Sequence, residues 1–282
     1  SAVVDKRQPV ELLHLRSYPH PFNVLRLARR MRREGFHLIH THGYFAGTFG
    51  RLAAAIAKVP VVIHHVHTVH TNLHSRHHRI ERILSSGTSR IICVSGAVRE
   101  NLSTVLGIQS SKTCVIYNAA PCRADTCSQA EIDSVRAAMG IRPGDRVITE
   151  VASLSDNKGQ AVLMEAFHRI AANHERSRLV FVGDGSRRKR LEEQARGHGL
   201  ASRVVFAGVR KDVRPVLRLT DALVLPPIEW EGPRVALVHG LCAGLPLVLA
   251  RLGGIPEVVV ASFNGRLFVP LDVGELFRDT ET

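Results

Sequence analysis

The sequence has no long apolar run, no signal-like start and few aromatic residues. None of its hydrophobic stretches approaches the roughly 18 residues that a membrane-spanning helix needs. Its first residues, SAVVDKRQPV, contain neither a signal-peptide apolar segment nor a starting Met. We therefore expect a soluble chain that begins partway through a longer gene product. Aromatic residues make up only 5% of the chain and do not alternate with basic ones, which argues against nucleic-acid binding.

Cysteine is also scarce, and none of the five cysteines forms a C-x-x-C pair. An odd number of isolated cysteines fits reduced thiols in a cytoplasmic protein. Cys122 and Cys127 are close enough in sequence to cross-link, but unpaired thiols in a linker are the favoured interpretation.

What the chain has in excess is positive charge, and it is unevenly placed. The 38 Lys and Arg against 25 Asp and Glu give +13. Residues 1–146 alone hold 20 basic and 9 acidic side chains, a net of +11, and 12 of the 16 His. This suits an anionic partner such as a membrane surface or a phosphorylated substrate, and a solvated basic face is the alternative. We expect peripheral contact with the inner face of an anionic membrane and no nucleic-acid partner.

The length of 282 residues exceeds what one hydrophobic core usually serves, so two domains are expected. Short apolar strands alternate with amphipathic helices, which predicts an α/β fold with parallel sheets. Strands are predicted at 10–15, 37–42, 59–65, 89–95, 112–118, 145–153, 177–183, 202–208, 221–226 and 245–250. Helices are predicted at 23–35, 46–58, 97–106 (capped by Ser95), 130–139, 159–172, 187–198, 212–219 and 233–243.

The aperiodic segment 119–129 separates the two series and predicts a linker. We predict two doubly wound, Rossmann-like domains, residues 1–125 and 126–282, which face each other across a cleft at the carboxyl ends of their strands.

Four loops of the second half follow predicted strands and suit a phosphate. SLSDNKGQ places Lys158 at the start of a helix, where a cation and free N–H groups meet an anion. The glycines of VGDG, EGPR and LGGIPE allow tight turns and close backbone approach. These are Gly183 and Gly185, Gly232 next to Pro233, and Gly253 with Gly254. A solvated lysine and simple turns are the alternative interpretation.

The order of these segments is specific. The series S-L-x3-KG, VGDG, EGP-x10-GLP-x6-GG-x-PE and NG resembles the C-terminal domain of the family 4 glycosyltransferases, which have the GT-B fold. HTHGYFAGTFGRLAA, VPVVIHHVHT, IICVS and VIYN agree with the first domain of that family, so the resemblance spans about residues 10–270. It implies a hexosyltransferase of polysaccharide biosynthesis. Such an enzyme moves a sugar from a nucleotide-diphosphate donor to a glycan, lipid-linked or small-molecule acceptor, with retention and without a metal or other cofactor.

The resemblance also assigns roles to matching residues. Lys158 would be the diphosphate cation, and Glu231, the first Glu of the family's E-x7-E motif, would contact the donor sugar. His67 matches the family's His near the transferring sugar and the acceptor. These three are the implied catalytic residues. The implied donor-binding residues are Ser153, Lys158, Gly183, Gly185, Arg210, Glu231, Gly232, Pro233, Arg234, His239, Gly253 and Gly254.

Three positions depart from the family pattern. Ser153 replaces an Arg that shares the diphosphate with the Lys, and His239 replaces the second Glu of E-x7-E, which binds the ribose hydroxyls. Ala119 replaces the Gly that follows Asn118. We predict that Arg234 substitutes in part for the missing Arg, with a solvated Arg as the alternative.

Helical spacing counted from Pro233 places His239 off an apolar stripe of Val235, Val238 and Cys242. His239 is therefore predicted to face the cleft, and inward packing is the alternative. The family's first strand and Gly-rich loop are expected to precede residue 1, and its last helices to follow residue 282.

A cluster of seven histidines occupies residues 64–78. His70, His74 and His78 would share one helical face, but no Cys joins them and Glu81 is the only nearby acid. We therefore predict no metal site and favour a pH-sensitive or anion-facing loop.

Two other functions remain open from the sequence. The departures at Ser153 and His239 and the short ends favour a nucleotide-sugar-binding relic with little turnover. The epimerase branch of the same fold also binds nucleotide sugars.

Overall fold

A computed structural model describes residues 21–68, 75–122, 127–229, 235–260 and 263–281. The chain divides into two compact units, residues 1–117 and 118–282. The predicted boundary near residue 125 lies within 123–126, outside the described residues, and stays a prediction. The strand predicted at 10–15 also lies outside them. No helix among the described residues combines the length and the apolar character needed to cross a bilayer.

The described residues of the first unit form a four-stranded parallel sheet with strand order β1-β2-β3-β4. Side chains along β2 and β3 alternate between buried and less buried positions, as expected for strands with two unlike faces. Ser95 caps α4 as predicted, because its Oγ accepts a 3.1 Å hydrogen bond from the Val98 N–H. The elements of this unit are α1 (Pro21–Arg33), β1 (Leu38–His42), α2 (Tyr44–Ala57), β2 (Val61–Val66), α3 (Ser75–Ser86), β3 (Arg90–Cys93), α4 (Gly96–Thr104) and β4 (Thr113–Val115).

Helix α2 packs closely on one face of this sheet. A Cβ at Gly47 would lie 2.3 Å from Cε1 of His64, so only glycine lets the helix approach the imidazole. His64 is buried, and its Nδ1 lies 3.0 Å from Oγ1 of Thr41 on the neighbouring strand. A buried ion pair between Arg51 and Glu81, 2.5 Å apart, joins α2 to α3. Glu81 is therefore committed to the core and is not an acid beside a metal-binding loop.

In the second unit, the part of the chain that the structure describes forms a six-stranded parallel sheet with helices on both faces. Its strand order is β10-β9-β8-β5-β6-β7, which is the doubly wound Rossmann order with a switch point between β5 and β8. The core on one face centres on Phe167 and Phe181, and that on the other face on Leu223 and Leu237. The elements are α5 (Gln129–Ala138), β5 (Arg146–Val151), α6 (Gln160–Asn173), β6 (Ser177–Val182), α7 (Arg188–Gly197), β7 (Val204–Gly208), α8 (Arg214–Leu217), β8 (Ala222–Leu225), α9 (Val235–Cys242), β9 (Leu247–Ala250), β10 (Arg266–Phe268) and α10 (Val273–Glu281).

The predicted parallel α/β architecture is confirmed in both units, and every predicted strand within the described residues is present. The sequence analysis missed β10 and α10. Strand β10 is only three residues long, and its helix α10 packs on α6 through Leu276, a contact that no local pattern specifies.

The expectation of reduced thiols throughout is wrong for one pair. Cys122 is bonded to Cys242, which lies 120 residues further along the chain in the last turn of α9. Cys127, the neighbour considered from the sequence, is free, as are Cys93 and Cys114. The sequence analysis considered only the pair that is close in sequence. Folding instead brings the Cα atoms of Cys122 and Cys242 to 5.1 Å, a distance that a disulfide can span.

Candidate functional site

The switch point of the second unit brings two predicted loops together. A parallel doubly wound sheet binds ligands outside the carboxyl ends of the strands where its order reverses. The loop after β5 carries residues 152–159, and the loop after β8 begins at Pro226. They are joined by a 3.1 Å hydrogen bond from the Ile228 N–H to the Asn157 carbonyl. Gly159 has φ +79° and packs so closely on the Pro226 carbonyl that no Cβ would fit.

A cavity of about 350 Å³ opens at this edge of the sheet. Its lining includes two lysines and one histidine but no carboxylate, so the described walls favour an anion. The lining residues are Val151, Ala152, Ser153, Lys158, Lys211, Val213, Val235, Ala236 and His239.

Three of the predicted donor-binding residues therefore share one cavity: Ser153, Lys158 and His239. Lys158 is half-buried in a single 3-10 turn directly ahead of α6. The exposed Ser153 is held through its carbonyl, which accepts a 3.1 Å hydrogen bond from Nε2 of Gln160. The same amide donates to the buried Glu150, which fixes the start of α6 against the end of β5.

Lys211 is a cavity residue that the sequence analysis missed. It is exposed and follows β7, while its neighbour Arg210, the predicted donor-binding residue, does not line the cavity. The sequence did contain a signal for this residue, because the segment VRKDV, with two adjacent cations, directly follows a predicted strand. The sequence could not tell which of the two would point toward the switch point.

His239 is half-buried on α9 and lines the cavity, which fits the predicted orientation. The apolar stripe used to predict it is wrong, however. The buried residues of α9 are Leu237 and Gly240, whereas Val235 is 48% exposed. Apolar character alone was a poor guide here, because the closely packed position is Gly240, where a Cβ would lie 2.5 Å from a side-chain carbon of Leu223.

The glycines of VGDG serve packing in this structure. Gly183 donates its N–H to the Gly208 carbonyl at 2.9 Å, and Gly185 donates to Oδ1 of Asp184 at 2.8 Å. A Cβ on Gly183 would meet the Ala152 carbonyl at 1.9 Å, so that glycine lets the loops after β5 and β6 touch. The predicted donor contact of Gly183 and Gly185 stays a prediction.

Gly253 and Gly254 follow β9 and lead into a 3-10 turn at Ile255–Glu257. Their N–H groups donate to no other residue within the described part of the chain, as an anion site requires. Four further predicted residues, Glu231, Gly232, Pro233 and Arg234, lie outside the described residues.

The predicted catalytic His67 belongs to the first unit, just after β2. Its Nε2 lies 3.0 Å from Nδ1 of His42 at the end of β1. Partial burial and the nearby His40 lower the pKa of His67, so the ring is neutral at pH 7 and can accept a proton. The predicted pH-sensitive or anion-facing loop stays a prediction, because residues 69–74 with His70 and His74 lie outside the described residues. His64 and His65 belong to β2 instead of that loop.

A larger cavity of about 620 Å³ lies mainly between α6 and α7. Its walls carry both signs of charge, including an ion pair between Arg187 and Asp156. This mixture suits a nucleotide diphosphate less well than the cationic cavity at the switch point.

Two family models match the chain. One, described as glycosyl transferases group 1, matches residues 145–281, and one described as glycosyltransferase family 4 matches residues 1–123. Together they account for both units.

Curated relatives agree with these matches. A UDP-Gal:α-D-GlcNAc-diphosphoundecaprenol α-1,3-galactosyltransferase of Escherichia coli is 27% identical and covers 89% of this chain. A phosphatidylinositol N-acetylglucosaminyltransferase subunit from Arabidopsis thaliana is 28% identical over 86% of it. The chain spans 67% of the first protein's length and 54% of the second's.

Solved structures share the fold. Anabaena HepE in complex with UDP and glucose has a TM-score of 0.82 and 25% identity, over 91% of this chain and 70% of that one. A glycosyltransferase from Rickettsia africae has the same TM-score at 18% identity, over 96% and 73%. These matches confirm the predicted α/β fold class.

Proposed function

Since the chain belongs to glycosyltransferase family 4, we propose that it moves a sugar from a nucleotide-diphosphate donor to an acceptor, with retention and without a metal or other cofactor. The observation that carries the donor assignment is the cationic cavity at the switch point. Lys158, Lys211 and His239 line it, and its described walls contain no carboxylate. Relatives and structural neighbours whose names include UDP or a UDP-sugar support a nucleotide donor.

The chemistry needs positive charge at one end of the breaking bond. As the bond between sugar and phosphate breaks, negative charge grows on the departing diphosphate, and fixed cations placed there lower the barrier. Lys158 and Lys211 would serve this purpose, with N–H groups of Gly253 and Gly254 as further donors. A cavity that supplies its own cations and has no described carboxylate to hold Mg²⁺ supports a metal-free donor site.

The remaining roles follow the resemblance. Glu231 would contact the donor sugar and Arg234 would add positive charge. His239 would approach the ribose hydroxyls. His67 would act near the transferring sugar, as a neutral imidazole able to take the acceptor's proton.

We further propose a glycan or lipid-linked acceptor and a cytoplasmic location, peripheral at the inner membrane face. Helix α1 supports this, because it exposes Phe22 and Leu25 together with Arg26, Arg29 and Arg33. Apolar side chains flanked by arginines suit an anionic lipid surface. The names of the Escherichia coli and Arabidopsis relatives include lipid-containing molecules. The Cys122–Cys242 disulfide instead favours an oxidising compartment, so five free thiols in the denatured, unreduced chain would support the cytoplasmic location.

Calorimetry with UDP and uridine tests the donor assignment. If Lys158 neutralises the diphosphate, Lys158→Ala weakens UDP binding strongly and uridine binding little. Lys189→Ala is the matched control, since Lys189 is exposed on α7 and does not line the cavity. Equal losses for UDP and uridine would remove Lys158 from the diphosphate site.

A binding protein without turnover is the second candidate. The exposed Ser153 in the cavity favours it, because an Arg at this position would add a third cation to the diphosphate site. UDP binding without any hydrolysis or transfer of UDP-sugars would support this candidate over the enzyme.

A further inference from the structure

Four imidazoles form a row on one face of the first unit's sheet. His40 and His42 alternate along β1, and His65 lies directly opposite His42 on β2. His67 continues the alternation after β2 ends. His64, one residue out of step, points to the opposite face, where α2 covers it. The row therefore results from the register of two neighbouring parallel strands.

The nitrogens in this row are close enough to converge on one ion. Ring nitrogens of His40, His42 and His65 all lie within 4.8 Å of one another. A tetrahedral Zn²⁺ with bonds of 2.0–2.1 Å holds its nitrogen ligands about 3.3 Å apart. Small side-chain rotations would bring three imidazoles to that spacing, and His40 and His42 are exposed enough to make them.

His65 gives an independent sign of a missing partner. Both of its ring nitrogens are buried, and neither forms a hydrogen bond with any described residue. Buried polar atoms without a partner are uncommon and costly. A transition-metal ion bound by one of these nitrogens would supply the missing partner, since imidazole is the commonest metal ligand in proteins.

His67 is not one of the three converging histidines, but it contacts one of them. Its hydrogen bond to Nδ1 of His42 leaves Nε2 of His42 for an ion and fixes the orientation of that ring. Three imidazoles leave a fourth coordination position for water or another small ligand.

We propose that His40, His42 and His65 bind one divalent transition-metal ion of the class that imidazole prefers, with Zn²⁺ as the representative ion and His67 as a positioning residue. This goes beyond the proposed transferase activity, whose donor site lies in the other unit and uses no metal.

Calorimetric titration of the metal-free full chain with Zn²⁺ tests the proposal. We expect one ion per chain, and His65→Asn should weaken binding by more than about 100-fold, since loss of an outer-shell partner alone typically costs 10- to 100-fold. His40→Asn should do the same, and because His40 is exposed its replacement is not expected to disturb folding. His37→Asn is the matched control, an exposed histidine directly before β1 that should leave binding unchanged. Circular dichroism of each variant checks that it is folded.

Absorption spectroscopy with Co²⁺ gives a second readout, since the ligand-field bands of a histidine-bound ion should appear in the wild type and vanish in both variants. Unchanged Zn²⁺ affinity in folded His40→Asn and His65→Asn would overturn the proposal. So would binding that is lost only when His70 and His74 are replaced, since the ion would then belong to other histidines. Neither result depends on transferase activity, so failure here and failure of the proposed function are distinguishable.

Discussion

Replacing Lys211 tests whether the diphosphate of the donor binds in the cavity at the switch point of the second unit. The sequence assigned Arg210 to the donor, whereas Lys211 lines the cavity with Lys158. A charge-assisted hydrogen bond to phosphate contributes roughly 1.5–3 kcal/mol. Lys211 is exposed, so solvent screening places its contribution near the lower limit. Lys211→Ala should therefore weaken UDP binding about 10- to 30-fold, which corresponds to about 1.4–2 kcal/mol.

The assay is calorimetric titration of UDP into wild type, Lys211→Ala and Arg210→Ala. Uridine is the control ligand, because it lacks the diphosphate and should lose little affinity in any variant. Raising the salt concentration should shrink the difference between wild type and Lys211→Ala, as expected for a screened charge. A large loss in Arg210→Ala with no change in Lys211→Ala would refute the placement of the diphosphate in this cavity.

Three further predictions concern other parts of the second unit. His239→Glu should tighten UDP binding by roughly 1–2 kcal/mol, because a carboxylate can accept from both ribose hydroxyls; an equal gain for the 2′,3′-dideoxy analogue would exclude the ribose role. A thiol assay on the denatured, unreduced chain should find three free cysteines, and five would contradict the Cys122–Cys242 bond. Burial raises the pKa of Asp145, but hydrogen bonds from the Arg142 N–H and from Arg178 outweigh it and lower the pKa overall. The stabilisation that ionised Asp145 gives the folded state is therefore fully present above the pKa of the unfolded chain, about 3.9. It is lost as the pH falls through the lower pKa of Asp145 in the folded state. Asp145→Asn should cost about 1.5–3 kcal/mol at pH 7 and progressively less below about pH 4, and a pH-independent cost in denaturant unfolding would contradict this.

The described strands other than β10 could be predicted from sequence because most are short runs of β-branched and apolar residues bounded by polar turns. The loops after β5 and β8 could be placed together because the doubly wound order fixes which strand ends are neighbours. That rule places Lys158 near the switch point, whereas the assignment of Ser153 to the donor site came from the resemblance.

The other features of the candidate sites could not be predicted, because they depend on contacts between residues that are far apart in the sequence. Nothing local distinguishes Lys211 from Arg210, since both follow the same strand end. The row of His40, His42 and His65 could not be predicted, because it requires the register between β1 and β2. The same limit applies to Cys122 and Cys242, which only the folded chain brings together.

Incubating the chain with UDP-sugars tests the central claim most directly. Proton NMR follows both the release of UDP and the anomeric configuration of the sugar first formed. The account predicts UDP release by the wild type, strongly reduced release by Lys158→Ala, and a product that keeps the donor's configuration. Folded wild-type protein that releases UDP from none of UDP-glucose, UDP-galactose and UDP-N-acetylglucosamine would contradict it, as would release that is undiminished in Lys158→Ala.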